Sequence, residues 1–365
     1  MAVELADIFR RYGPAYRQKY AIRMPANHLK AMRAVEQCRT EALGGQVYRC
    51  PTCEQVQYSY HSCRNRHCPK CQNENAQRWL DKQQDLLLPV PYFLLTFTLP
   101  ASFNEVARAH QRLLYDLLFK TSAAATQQLA QEPRWLGGQI GMVGVLHTWG
   151  RNLAYHPHIH YLVPGGAWKD TEKRWVPARQ DFLLPVRALS RVFRGKLRQA
   201  LRGTHCYAHI PANVWQQEWV VHCEGVGSGL NALKYLAPYI FRVALSNNRL
   251  LKLEGDRVTF RYRATETGAE KRCTLAAEDF IHRFLQHVLP KGFVKVRYYG
   301  FFAATRRARL ASVRQILGQF SPLPPSAETQ PVTNQTQVQP KLLCPQCGQP
   351  MLFQHSLAPI LCRSP

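Results

Sequence analysis

Three histidines separated by single residues stand near the middle of the chain, in the run His156-Pro157-His158-Ile159-His160. The run continues into Tyr-Leu-Val, which is typical of a β-strand, so His158 and His160 should project from one face. Two neutral imidazoles placed in this way can share one metal ion. The pattern therefore predicts a metal site built on His158 and His160. The alternative is a strand that carries exposed histidines without a function.

The third ligand of this site is not fixed by spacing. Four residues of strand span about 13 Å, so His156 can join His158 and His160 only if Pro157 bends the chain. His147 and His222 are the other candidates. We rank His156 first because of that proline.

Two tyrosines four residues apart, Tyr235 and Tyr239, lie in a segment, residues 230–245, that is predicted to be helical. Both phenols should project from one face of this helix, and Pro238 between them should bend it. A tyrosine hydroxyl can attack a phosphodiester when a divalent ion beside it stabilises the charge on the phosphate. Most isolated pairs of this kind serve packing. Next to a histidine site for Mg²⁺ or Mn²⁺, the pair instead predicts nucleophiles that form a 5′-phosphotyrosine and a free 3′-OH.

The overall charge favours a polyanionic partner. The chain has 48 Lys and Arg against 23 Asp and Glu, a net charge of +25 and a pI near 9.9. Nucleic acid is the commonest partner of such a chain. A membrane is disfavoured because prolines interrupt the most apolar run, residues 86–103. With no recognisable export signal and with paired cysteines, we expect reduced, metal-binding thiols and a cytoplasmic protein.

Half of the 12 cysteines fall between residues 38 and 71. The turns Cys50-Pro-Thr-Cys53 and Cys68-Pro-Lys-Cys71 have the spacing that delivers four thiolates to one structural Zn²⁺. A second zinc ion could use four further residues, but spacing does not say which of them bind. These are Cys38, His61, Cys63 and His67. Such closed sites stabilise a fold and do not catalyse.

Basic residues accompany both motifs. Arg64, Arg66 and Lys70 surround the cysteine turns, and Lys234 and Arg242 flank the tyrosines, so these five are predicted to contact DNA. An ordinary solvated surface is the alternative for the first group.

Near the other end of the sequence, Cys344-Pro-Gln-Cys347 with His355 and Cys362 could form a third zinc site. A half-site that binds nothing, or one shared between two copies, is also open.

The predicted fold class is α+β, with a small Cys-rich unit before an antiparallel sheet flanked by helices. The predicted divisions are residues 1–85, helical and zinc-binding; residues 90–315, catalytic; residues 316–341, a flexible linker; and residues 342–365, a Cys-rich tail. Within the catalytic part we expect strands at 91–100, 140–147, 156–163, 218–223 and 293–302, and helices at 103–131, 186–202 and 277–289.

His158-Ile159-His160 resembles the His-hydrophobic-His strand of the HUH endonucleases. The wider run from His147-Thr-Trp-Gly to Gly165-Gly166, the segment Lys234-Tyr235-Leu-Ala-Pro-Tyr239 and the segment 284–300 are similar to the rolling-circle transposases of the insertion-sequence ninety-one type. The cysteine array resembles the zinc-binding domain of that family. The resemblance covers roughly residues 30 to 310.

This resemblance implies a five-stranded antiparallel sheet with the histidine strand at its centre and the tyrosine helix beside it. It also implies a bacterial, nucleoid-associated protein that binds transposon ends, cleaves one strand by tyrosine and carries out rolling-circle strand transfer. A non-catalytic zinc DNA-binding protein, and a replication initiator or relaxase of the same fold, are the alternatives. The sequence leaves open whether the protein is a monomer or a homodimer.

Overall fold

The computed structural model describes residues 3–71, 79, 83, 86–231, 233, 244–264, 267–320 and 342–360. Its helices are α1 Leu5–Tyr20, α2 Ala26–Gln37, α3 Asn104–Ala109, α4 Gln111–Gln131, α5 Val186–Arg202, α6 Ala277–Leu285 and α7 Arg307–Phe320. Its strands are β1 Gly45–Arg49, β2 Val56–Tyr60, β3 Pro91–Thr98, β4 Met142–Trp149, β5 Tyr155–Pro164, β6 Gly166–Lys169, β7 Arg174–Pro177, β8 Val221–Ser228, β9 Leu250–Glu254, β10 Arg257–Arg263, β11 Glu270–Ala276, β12 Val296–Tyr299 and β13 Leu352–Leu357. The fold is the predicted α+β class.

The largest sheet has five antiparallel strands in the order β12-β4-β5-β3-β8, so the histidine strand β5 lies at its centre. Strands β4 and β5 form the predicted hairpin-like pair. Side chains alternate between the two faces of a strand, so β5 presents Ile159 and Tyr161 to one side and His158 and His160 to the other. The expected five-stranded sheet and the central place of the histidine strand are confirmed.

The first face of this sheet is covered by helices. Ile159, Tyr161 and Phe97 share one buried apolar core with Leu118 of α4 and Phe193 of α5. These are large apolar side chains, and fully burying one of them contributes about 1.5–3 kcal/mol. The Tyr161 hydroxyl lies 2.8 Å from the hydroxyl of Ser122, so its polar end is also satisfied. The central strand is thereby held in a fixed orientation.

The opposite face carries the histidines and, further along the strands, a smaller apolar cluster. Leu162 of β5, Leu94 of β3 and Val145 of β4 are buried in this cluster together with Leu233. Leu233 therefore packs on the same face as His158 and His160.

The two N-terminal helices pack against a distant part of the chain. They share a core with the three-stranded sheet β11-β10-β9 and with α6, in which Phe9 and Phe284 meet edge to face at 5.5 Å. The Tyr16 hydroxyl and the Nδ1 atom of His282 lie 3.1 Å apart across the same boundary. The helical part of the first predicted unit is therefore built onto residues 250–288.

A third sheet has the order β13-β1-β2 and joins the two ends of the described chain. Strand β13 pairs antiparallel with β1 from Gly45 opposite Leu357 to Arg49 opposite Leu352. We expected residues 342–365 to be a separate tail. That expectation is wrong for residues 352–357, because backbone hydrogen bonds make them an edge strand of the cysteine-rich unit.

Several predicted boundaries also differ. The helix predicted over 103–131 is interrupted at His110, and the strand predicted over 293–302 spans only Val296–Tyr299. The helix predicted over 277–289 ends at Leu285. The strand predicted to stop before the glycines at 225 and 227 runs through them to Ser228, because Gly227 adopts a φ of +74° beside a register shift. None of the helices in the described part of the chain is long and apolar enough to cross a membrane.

Candidate active site and metal centres

Three imidazoles converge on the face of the central sheet that lies opposite the core formed with α4 and α5. The metal-binding atoms of His147, His158 and His160 lie within 4.8 Å of one another. His147 on β4 is directly opposite His158 on β5, and such cross-strand partners have Cβ atoms about 4.5–5.5 Å apart. The ring centroids are 5.3 Å apart for His147 and His158, and 4.8 Å apart for His158 and His160. This arrangement can hold one divalent ion and leave positions open for substrate.

The ranking of His156 as third ligand is wrong. Strand β5 is continuous from Tyr155 to Pro164, so Pro157 does not bring His156 toward His160, and His156 is exposed. His222 on β8 is exposed as well and is not in the group. His147, a candidate that we ranked below His156, is the third member of the group and is only 2 % exposed. The cross-strand register decides this.

Hydrogen bonds orient two of the rings. The Nδ1 atom of His158 donates to the carbonyl oxygen of His156 at 2.7 Å, which leaves Nε2 as the atom able to bind a metal. The Nδ1 atom of His160 lies 2.9 Å from the Thr96 hydroxyl oxygen. Burial lowers the pKa of His160 to about 4 and holds the pKa of His158 well below its usual value. Both rings are therefore neutral at physiological pH, the form that ligates metals.

The contact with Thr96 gives a direct test. Thr96→Val keeps the side-chain shape but removes the partner of His160, and loss of such an outer hydrogen bond typically weakens metal binding by about 10–100-fold. We expect this decrease in a calorimetric Mn²⁺ titration. Thr98→Val, on the same strand and face, is the matched control and should bind Mn²⁺ as the unmodified protein does. Equal affinities for the two variants would contradict this orienting role of Thr96.

Five other predicted residues lie outside the described part of the chain: Tyr235, Tyr239, Lys234, Arg242 and Cys362. The last described residue before the tyrosines is Leu233, which packs on the histidine face of the sheet.

The cysteines between residues 38 and 71 form groups that differ from the predicted zinc site. Cys68 and Cys71 meet Cys38 and Cys63, and the four sulfur atoms lie within 4.8 Å of one another. The Sγ atom of Cys71 is 3.5 Å from that of Cys38 and 3.6 Å from that of Cys63. A disulfide requires about 2.05 Å, whereas sulfurs on a tetrahedral zinc with Zn–S of about 2.3 Å are about 3.8 Å apart.

Cys50 and Cys53 form a second group with two cysteines from the far end of the sequence, Cys344 and Cys347. The single site predicted from Cys50, Cys53, Cys68 and Cys71 is therefore wrong in its pairing. Cys50 follows β1 directly, whereas Cys38 at the end of α2 meets Cys68 and Cys71. Two Cys-x-x-Cys turns of suitable spacing do not reveal which partners each one meets.

His61 and His67 belong to neither cysteine group within the described chain. The Nε2 atom of His67 instead accepts a hydrogen bond from the backbone N–H of Leu289 at 3.4 Å, and burial lowers its pKa to about 3. His61 directly follows β2 and is exposed. Of the four candidate ligands for a second zinc ion, Cys38 and Cys63 thus join a cysteine group of the described chain, and these two histidines do not.

The thiols of the first group affect one another's ionisation, and this explains why a bound cation would stabilise them. Hydrogen bonds from Cys63 and Cys68 lower the pKa of the Cys38 thiol, and the same contacts with Cys38 raise the pKa of Cys63 and Cys68. Thiols this close oppose one another's ionisation, whereas Zn²⁺ requires and stabilises thiolates. Both cysteine groups thus fit structural zinc.

The three basic residues predicted beside the cysteines have different surroundings. Arg66 donates to the carbonyl oxygens of Phe293 at 2.7 Å and Pro290 at 2.9 Å, and Lys70 forms a 2.6 Å ion pair with Glu4. Arg64 is exposed and lines an open cavity of about 770 Å³ with Arg39, Tyr58 and Tyr60. Of the three, Arg64 has the surroundings best suited to a phosphate, and its contact with DNA stays a prediction.

Comparisons with known proteins agree with this architecture. A family model described as "Putative transposase" matches residues 141–309, which include all three converging histidines, and one described as "Transposase zinc-binding domain" matches residues 8–99. Fold and site thus define a transposase with an N-terminal zinc-binding domain. No solved structure matches the chain.

Two relatives narrow the class to a family. The chain is 41% identical over 348 residues to a protein named "Putative transposase y4qJ" of Sinorhizobium fredii, covering 90% of this chain and 87% of the relative. It is 29% identical over 311 residues to the transposase for insertion sequence element IS801 of Pseudomonas savastanoi pv. phaseolicola, covering 78% of this chain and 70% of that protein. The chain belongs to the IS91 family of transposases. The resemblance inferred from its motifs is confirmed.

Proposed function

We propose that this transposase cleaves one strand of DNA at the ends of its insertion sequence through Tyr235 or Tyr239 and then transfers that strand in rolling-circle transposition. His147, His158 and His160 would hold the Mg²⁺ or Mn²⁺ that the cleavage needs. The substrate is single-stranded DNA from the transposon ends.

One observation carries the proposal, namely three converging imidazoles on the same sheet face as Leu233. Leu162, which shares a buried cluster with Leu233, is two residues beyond His160 on β5, a distance of about 7 Å. Tyr235 and Tyr239 follow Leu233 by two and six residues in the sequence. The last described residue before the tyrosines thus packs on the sheet face that carries the candidate metal site, which supports attack by a tyrosine on a phosphate bound there.

In the proposed reaction, a tyrosine is the nucleophile and the histidines hold the metal ion. The phenol oxygen of one tyrosine forms a bond to phosphorus and loses its proton to solvent, and the bond from phosphorus to the 3′ oxygen breaks, leaving a 3′-OH. A divalent ion at the histidines supplies stabilisation of the negative charge on the phosphate oxygens. Attack of a 3′-OH on the phosphotyrosine reverses these steps and joins the strand to a new end. Two tyrosines allow one end to be held while another is cut.

The net charge of +25 supports the proposed substrate, since phosphate contacts provide most of the affinity of sequence-independent binding. The second relative is named as the transposase of an insertion sequence element, which supports DNA ends as the substrate of this chain too.

Peptide mapping tests the proposal most directly. The protein is incubated with end-derived single strands and Mn²⁺ and digested, and any DNA-linked peptide is sequenced by mass spectrometry. We expect the linked peptide to contain Tyr235 or Tyr239. A linked peptide that contains neither would contradict the tyrosine assignment, and DNA binding without any adduct would indicate a non-catalytic DNA-binding protein.

A further inference from the structure

The two cysteine turns of the second group have the same backbone geometry, although they lie almost 300 residues apart. In the first, the N–H of Cys50 donates to the carbonyl of Gln55 at 2.9 Å and the N–H of Glu54 donates to the carbonyl of Cys50 at 3.0 Å. In the second, the N–H of Cys344 donates to the carbonyl of Gln349 at 2.8 Å and the N–H of Gly348 donates to that of Cys344 at 2.8 Å. The sequence spacing of these bonds is identical.

The residue after the second cysteine is left-handed in both turns, with φ of 59° at Glu54 and 73° at Gly348. A left-handed residue costs little for glycine but is unfavourable for glutamate, so the first turn adopts it against local preference. Each turn directs its two sulfur atoms toward the other turn.

The sulfur positions are those of a four-coordinate site. The Sγ atom of Cys347 lies 3.4 Å from that of Cys50 and 3.6 Å from that of Cys53, and the Sγ atoms of Cys53 and Cys344 are 3.5 Å apart. These separations exclude disulfides and are close to the roughly 3.8 Å edge of a zinc tetrathiolate.

Besides its backbone pairing with β1, the C-terminal strand has few buried side-chain contacts among the described residues. Five of the six residues of β13 are exposed, including Phe353 at 52 % and Leu352 at 56 %. Met351 is buried with Cys50 and Cys344, with Tyr48 and Leu342 packed against them, and the ring of Phe353 meets that of Tyr48 edge to face at 5.9 Å. An edge strand that buries so little apolar surface is only marginally stable in its docked position. A further attachment is therefore needed to hold it against β1.

We infer that Cys50, Cys53, Cys344 and Cys347 bind a second zinc ion within one chain, and that this zinc clamps β13 onto the N-terminal cysteine domain. We call these four residues the zinc clamp. The family's zinc-binding domain matches only residues 8–99, so half of the clamp lies outside it. The inference does not depend on the tyrosine chemistry.

The clamp predicts that the C-terminal segment stays bound after the backbone is cut. A protease site is introduced between residues 321 and 341 of the full-length, zinc-loaded protein, which is then cleaved and passed over a size-exclusion column. We expect the fragment that contains Cys344 and Cys347 to co-elute with the remainder at the mass of one chain, and to separate once a chelator removes zinc. A fragment that elutes separately without chelator, or one retained only in a dimer, would overturn the intrachain clamp.

Zinc content supplies an independent measurement. Cys344→Ser combined with Cys347→Ser should lower the zinc content by one ion per chain and release the cleaved fragment. Cys68→Ser combined with Cys71→Ser should also remove one ion, but from the other group, and should leave the fragment bound. Cys362→Ser is the matched control and should keep the full zinc content. An unchanged zinc content in the Cys344 and Cys347 variant would overturn the inference.

Discussion

Replacing both Tyr235 and Tyr239 with phenylalanine is expected to abolish covalent attachment of the protein to single-stranded DNA while binding persists. Phenylalanine keeps the ring but lacks the oxygen that attacks phosphorus. In the double variant, neither side chain can therefore act as the nucleophile. Loss of a nucleophile commonly reduces the chemical step by about 10⁴–10⁶-fold. Adduct formation is measured on a denaturing gel with labelled end-derived strands and Mn²⁺, and binding is measured by fluorescence anisotropy.

The single variants separate the roles of the two residues. If each tyrosine serves a different cleavage, Tyr235→Phe and Tyr239→Phe should each retain an adduct on a single strand but fail to complete strand transfer. Tyr262→Phe, on β10 and away from the five-stranded sheet, is the matched control and should behave as the unmodified protein. An undiminished adduct in the double variant would refute the assignment.

The second large effect is expected at His147. His147→Ala removes one of three converging imidazoles, and a lost ligand should cost at least the roughly 100-fold that loss of an outer-shell partner can cost. His156→Ala removes an exposed ring whose centroid lies 5.1 Å from that of His158 but which is not one of the three converging imidazoles. The variant keeps the backbone carbonyl of residue 156 that accepts the hydrogen bond from His158. We therefore expect Mn²⁺-dependent cleavage to fall strongly in the first variant and to change little in the second.

The pair of variants also tests how the metal is held. Raising the Mn²⁺ concentration should partly restore cleavage in His147→Ala, because two ligands remain, whereas no concentration of metal should restore it in the double tyrosine variant. Equal losses in the His147 and His156 variants would contradict the three-histidine site. Circular dichroism should confirm that His147→Ala is folded, since this side chain is 2 % exposed.

The periodicity of the sequence is sufficient to predict features that depend on a single helix or strand. The helix Val186–Arg202 was predicted with its exact bounds, because Leu189, Phe193, Leu197 and Leu201 repeat on one face of a basic helix. The common face of His158 and His160 followed in the same way from the two-residue period of a strand. The central place of that strand came from the family resemblance.

Partners across strands could not be predicted in this way. His147 was a named candidate, but only the register of β4 against β5 sets it opposite His158, and register depends on how two separate segments align. Thr96, which bonds to His160, was missed for the same reason. The cysteine pairing failed because the clamp joins turns from opposite ends of the sequence.

Pairing of β13 with β1 has a consequence for the order in which the domain is made. The sulfur atoms of Cys53 and Cys344 come together although 291 residues separate them in the sequence. At synthesis rates of about 5–20 residues per second, the ribosome needs roughly 15–60 s to traverse that distance. The cysteine-rich unit is therefore incomplete while most of the protein is being translated, and it closes only after the strand at residues 352–357 has emerged. A nascent or prematurely terminated chain would carry the sheet with an open edge at β1.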